Sequence, residues 1–291
     1  MLRTRGWIEA WLLLVPGFVF LIAFTHVPAL VTIWNSFFTT PRGRRPARWA
    51  GLENYETLLS DPTFWKVLKN NALYAAGTIP LSIGIALVMA LWVNRQLAGR
   101  GLVRMAYFTP TVLPMIAVAN IWMFFYTPGF GLIDQIGAAL GLGQTNILGS
   151  ADTALWGVMV VTIWKEAGFF MIFYLAALQT IPPSLVEAAR IEGAGGWTIF
   201  RRITLPLLMP TTLFVSINAV VNSFRMVDHI FILTGGGPDN ASSLLLFYIY
   251  EVAFRFWDTA YGATLTVVLL AFLMILAIGQ FVLFDRRVHY R

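Results

Sequence analysis

The groups on which chemistry could rest in this 291-residue chain are fourteen carboxylates, twenty lysines and arginines, and three histidines, because cysteine is absent. That absence removes disulfides, thiolate metal sites and cysteine nucleophiles together. His26, His229 and His289 stand far apart in sequence, and none has an H-E-x-x-H or similar metal-binding spacing. No G-x-S-x-G nucleophile elbow occurs. No phosphate loop of the form G-x-x-x-x-G-K-[ST] occurs either: the run Gly235-Gly236-Gly237 leads into Pro238 and Asp239 and lacks the lysine that would reach a phosphate. Asn240-Ala241-Ser242 matches a glycosylation sequon, a three-residue pattern common by chance. Neither catalysis nor nucleotide hydrolysis is expected of this chain.

The informative polar residues lie inside apolar stretches. Lys165 and Glu166 fall in the middle of one, and Asn218, Asn222, Ser223, Arg225, Asp228 and His229 in another. Ionisable groups within a bilayer are costly and are treated first as functional candidates. On a helix, Asn218, Asn222 and Arg225 stand at i, i+4 and i+7 and form one stripe that could line a solute path. Hydroxyl-rich solutes need many hydrogen-bond partners, which such a stripe offers. The alternative is packing: Arg225 pairs with Asp228 at i+3, and Lys165 with a carboxylate of a neighbouring chain. If Arg225 or Lys165 faces the path unpaired, an anionic sugar derivative fits. Phe124, Phe125, Phe169 and Phe170 could stack on a sugar ring, although most of the 23 phenylalanines must face lipid or other helices.

The elements that must carry these residues are membrane helices. The chain is 58% hydrophobic and 12% charged, with a mean hydropathy of +0.73, whereas soluble domains carry about a quarter charged residues. Six segments reach the roughly 20 apolar residues a span needs: 10–37, 70–93, 105–127, 154–178, 207–233 and 260–284. In lipid each must satisfy its own backbone, so an all-α polytopic membrane protein of six transmembrane helices is predicted, as a single domain over 1–291. Trp7, Trp34, Trp92, Trp156 and Trp257 cluster near the ends of these segments. Arg3 and Arg5 before the first apolar run suggest a secretory signal, but the run continues past a signal-peptide core and has no small-x-small cleavage site. It is read as a retained first helix.

Orientation follows from the loops. With both termini cytoplasmic, the inner segments hold eleven positive residues (Arg3, Arg5, Arg95, Arg100, Arg104, Arg190, Arg201, Arg202, Arg286, Arg287, Arg291) against seven outside. Six of those seven, Arg42, Arg44, Arg45, Arg48, Lys66 and Lys69, crowd into the first external loop, against the rule. A solvated loop is one reading of this and contact with an acidic outer surface is the other. The net charge of +6 is scattered among short loops, so no nucleic-acid partner is expected.

The most specific signal lies between the fourth and fifth spans, in the loop 179–206. Ser184 and Glu187 have the S-x-x-E spacing of a capping box, predicting a helix from Ser184 to about Glu192. Gly193, or Gly195-Gly196, would supply the left-handed turn that ends it. A second helix over about 197–205 then leads to Pro206 and the membrane. Ala188, Ala189 and Ala194 would let another protein approach closely.

This segment resembles the E-A-A-x-x-x-G loop of binding-protein-dependent ABC importer permeases, in the class that handles sugars and glycerol 3-phosphate (maltose type). The likeness runs through Glu187, Ala188, Ala189, Arg190, Glu192, Gly193, Ala194 and Gly195 and on through Phe200, Ile203, Leu205 and Pro206. Glu192 departs from the family's usual aspartate but keeps the charge. The segments Gly51-Leu52-Glu53-Asn54-Tyr55 and Leu233 to Pro238 also look like this class. The resemblance implies the type I importer permease fold and a coupling helix seated in a cleft of an ATPase. It also implies two such ATPases holding ATP and magnesium, a second permease of similar fold, and an external solute-binding protein. The location implied is a bacterial inner membrane; no cofactor is expected on this chain. Two other readings were weighed: a gradient-driven transporter predicts two internal repeats, which are not seen, and a membrane enzyme predicts a nucleophile or metal spacing.

Overall fold

The computed structural model describes residues 2–94, 99–141 and 146–285. Arg95, Arg286, Arg287 and Arg291, used above for orientation, lie outside the described residues. Helices account for the named elements; the described residues contain no β-strand, only two isolated bridges, Phe38 to Trp49 and Arg42 to Arg45.

Four helices are long and apolar enough to cross a bilayer on their own: Ala10–Asn35, Pro62–Val93, Ala154–Thr180 and Thr259–Val282. They carry the first, second, fourth and sixth expected spans. The second begins eight residues earlier than the sequence suggested, with Pro62 as its first residue, where a missing N–H costs nothing.

The third and fifth expected spans are not continuous helices. The third is a pair, Arg100–Val112 and Met115–Tyr126, bent by 102°. Leu113 is extended, with ψ at 137°, which is where a residue preceding proline is pushed, and Pro114 has no N–H with which to continue the ladder. In the fifth, Gly196–Leu207 meets Met209–Arg225 at 64°. Pro206 and Pro210 flank that bend, and a π-helical stretch, Phe200–Thr204, precedes it. The fifth helix ends at Arg225; Met226 is extended and a short helix, Asp228–Leu233, follows.

The described chain divides into two compact units. One comprises Met1–Pro62 and Ile249–Phe272, the other Thr63–Tyr248 and Leu273–Arg291. In the first unit none of the residues of Ala10–Asn35 is buried, so this helix offers its whole apolar surface to lipid or to another chain. The second unit holds two apolar clusters. Tyr74, Val118, Val158, Met159, Ile230 and Phe247 build one; Ala86, Phe170, Met171, Tyr174, Leu208 and Val215 build the other.

Candidate functional site

The loop after the fourth span folds as helix, glycine turn, helix. Its first helix is Pro183–Ile191 with Pro182 as N-cap, and no side chain caps it. The expected capping box at Ser184 and Glu187 is therefore not formed. Pro183 sits in the first turn, where its missing N–H costs nothing and its fixed φ suits the helix, so the helix starts one residue before Ser184.

The other end follows expectation at one of the two glycine sites proposed. Gly193 has φ of +81°, while Gly195 has φ of −69° and opens the next helix. Glu192 N–H donates to Ala188 O at 3.1 Å, and Ala194 N–H donates back to Ala189 O at 2.9 Å. The second of these is the six-to-one bond of a Schellman motif, and it needs a left-handed residue between its ends. No residue of Pro183–Ile191 is buried. Glu187, Ala188, Arg190, Glu192 and Gly193 are exposed, Ala189 and Ala194 half-buried. Ile191 is 88% and Trp197 71% exposed.

The polar residues of the fourth and fifth spans come together in the second unit, though not as the spacing alone suggested. Lys165 is buried, and its Nζ donates to three backbone carbonyls: Pro110 O at 3.0 Å, Thr111 O at 3.2 Å and Leu113 O at 2.6 Å. These are the groups that the break before Pro114 leaves without helical donors. An ammonium placed there satisfies them and complements the negative end of the helix dipole. Within its own chain, the partners of Lys165 are therefore backbone carbonyls.

Glu166 is also buried, and its Oε2 accepts from Asn222 Nδ2 at 2.9 Å. Both residues line a cavity of about 10 Å³, water-sized, together with Thr78, Ser82, Thr162 and Ser223. Asn218 donates to its own helix at Phe214 O, 2.9 Å. Arg225 and Asp228 are both exposed, and the ion pairs among the described residues do not include them; the expected pairing at i and i+3 fails because the helix ends between them. Phe169 and Phe170 pack on each other at 5.5 Å between ring centres, with Phe170 in the apolar core, so it is not free to stack on a sugar.

Two sets of contacts are not visible in the residue spacing. A buried trio joins three elements: Tyr74 OH lies 2.6 Å from Thr162 Oγ1 and 3.0 Å from His229 Nε2. The segment after Gly235 is tied to the second span, where Lys66 Nζ donates to Asp239 Oδ2 at 2.7 Å and Asn70 to the carbonyls of Asn240 and Ser243. Lys66 holds the Asp239 carboxyl below its ordinary value, by hydrogen bond and by charge.

The pattern of one family, the binding-protein-dependent transport system inner membrane component, matches residues 82–290. The chain belongs to this family. Its role is transport, and a permease of this family does not itself perform catalysis. Similar proteins include the trehalose/maltose transport system permease of Thermococcus litoralis, 32% identical over 275 residues, covering 93% of each chain. The sn-glycerol-3-phosphate transport system permease of Agrobacterium fabrum is 30% identical over 281 residues and 96% of each chain. Among solved structures, a bacterial ABC transporter that imports the acidic polysaccharide alginate superposes with a TM-score of 0.86 at 22% identity, covering 97% of this permease and 96% of that chain. The fold is therefore that of ABC importer permeases.

Proposed function

We propose that this permease and a second one of similar fold enclose a path for a sugar or sugar-like solute, an oligosaccharide, glycerol 3-phosphate or another anionic sugar derivative. Two ATPase subunits, which hold ATP and magnesium, drive it from the cytoplasm, and a solute-binding protein delivers solute outside. Both termini are cytoplasmic in this reading. The observation that carries it is the exposed helix Pro183–Ile191, closed by a left-handed glycine and flanked by bare Ile191 and Trp197. A connector between two spans has no use for that surface, whereas a cleft on a partner has. Glu187, Ala188, Ala189, Arg190, Glu192, Gly193, Ala194 and Gly195 are the residues proposed to dock.

Movement of the docked loop reaches the fifth helix directly along the chain, and from there Asn222 passes it to Glu166 in the fourth span. Glu166, Asn218, Asn222, Arg225 and Asp228 are the proposed path residues. Lys165 acts behind them, fixing the bend of the third span. With its charge spent on carbonyls, the case for an anionic solute rests on Arg225, and Arg225→Gln should weaken uptake of an anionic sugar more than of its neutral analogue. Since the chain has no cysteine, Ala188→Cys introduces a single thiol. It should react with a water-soluble maleimide when the ATPases are stripped away and be protected in the assembled transporter. Equal labelling in both forms would remove the docking role.

A further inference from the structure

The arginines of the first external loop are mounted on a built hairpin. Thr39 N–H donates to Arg48 O at 2.9 Å, Ala50 N–H to Phe37 O at 2.8 Å, and Arg42 and Arg45 exchange backbone bonds of 3.2 and 3.0 Å around Gly43, whose φ is +59°. Asn54 ties the base by donating to Ser36 O and Phe38 O, each at 2.8 Å. Thr40 Oγ1 donates to Asp258 Oδ1 at 2.5 Å and accepts from Ala260 N–H at 2.9 Å. A solvated loop needs none of these anchors.

The hairpin's charge is mostly unspent. Arg42 reaches Asp258 at 3.6 Å, but Arg44, Arg45 and Arg48 are exposed and make no ion pair among the described residues. Arg42, Arg45 and Arg48 line a cleft of about 360 Å³ with Thr39, Asn54 and Asp258. Guanidinium forks around a polar cleft are suited to carboxylates, which they bind through two parallel N–H donors.

Two anionic surfaces could meet it, lipid headgroups or an acidic protein. Trp34, Phe37 and Phe38 pack on Trp49 at the base, with ring centres 5.3 to 6.1 Å apart, an aromatic group of the kind that marks the membrane–water boundary. From the Phe38 bridge to the Arg42 bridge is four residues, at most roughly 13 Å of extended chain. The headgroup layer beyond the hydrocarbon is only about 5 to 8 Å deep. A walled cleft that runs along the hairpin, from Asn54 at its base to Arg45, favours side-chain carboxylates over a flat layer of phosphates.

We infer that this hairpin is a docking surface for an acidic face of the solute-binding protein, with Arg44, Arg45 and Arg48 supplying the charge that draws the two together. The inference rests on the importer reading and on the cytoplasmic amino terminus, which together place the hairpin outside after one crossing. Charges at the edge of an interface act mainly on association rate and salt dependence.

The test uses the complete transporter in liposomes and its solute-loaded binding protein, with ATPase rate followed as binding-protein concentration rises at about 50 and 200 mM salt. For the native chain the half-saturating concentration should rise with salt. In R44E/R45E/R48E it should rise at least tenfold at low salt and no longer rise with salt, while basal rate and saturated rate stay unchanged; R44K/R45K/R48K should keep the salt response. The same half-saturation and salt slope in the reversed and native chains would overturn the proposal. So would a shift that follows the phosphatidylglycerol content of the liposomes and not the binding protein. If the native transporter is not stimulated by any binding protein, the importer reading itself has failed; stimulation indifferent to these arginines sinks the docking surface alone.

Discussion

Lys165 does the work of the backbone donors that the Leu113-Pro114 break removes. Lys165→Met leaves the carbonyls of Pro110, Thr111 and Leu113 without their donor. At roughly 0.6 kcal/mol per bond in a membrane protein, about 2 kcal/mol of stability should be lost, read as a lower unfolding midpoint in detergent. Gly168 marks the same junction: a Cβ there would meet Tyr107 O at 2.2 Å. Gly168→Ala should push the third and fourth spans apart and lower the yield of folded protein, whereas Gly193→Ala has open space and should cost only the left-handed strain, about 1 to 2 kcal/mol. At this scale the sequence disclosed that Lys165 and Glu166 were unusual, because charge inside an apolar run is conspicuous. It did not disclose what they bond, since the partners lie some fifty residues away and are, for Lys165, backbone atoms.

The loop helix after the fourth span was legible because proline, glycine and small residues act locally. Its start was misplaced by one residue, because Pro183 in the first turn outweighed the Ser184 capping box. The bends in the third and fifth spans were missed, although Pro114 and Pro210 were in view; hydropathy sums apolar character and is blind to backbone donors. The segment after Gly235 offers a pH test. Asp239 has its folded-state value lowered from 3.8 by Lys66, so the contact contributes at neutral pH and fades only as pH falls through that lowered value. Hydrogen exchange over 234–243 should hold steady from neutral pH to about 4 and quicken below it, once corrected for intrinsic rates. Lys66→Met should abolish that step. A step unchanged in Lys66→Met would assign it to another group.

In the whole molecule, the exposed helix Pro183–Ile191 leads into the bent fifth span, and the hydrogen bond from Asn222 to Glu166 ties the fifth span to the fourth. Asn222→Leu should therefore lower solute moved per ATP more than it lowers ATPase rate, because the motor still turns while its movement reaches the path less well. An unaltered ratio would remove that contact from the transport route. The most direct measurement is the solute-stimulated ATPase of the reconstituted transporter, comparing the native chain with Glu187→Ala and Gly193→Pro. Proline cannot adopt the φ of +81° that Gly193 holds, so the helix Pro183–Ile191 loses its C-terminal turn. Stimulation and uptake should collapse together in Gly193→Pro and fall in Glu187→Ala, with all subunits still assembled. Uptake that persists without any ATP hydrolysis would contradict the coupling and point to a gradient-driven carrier.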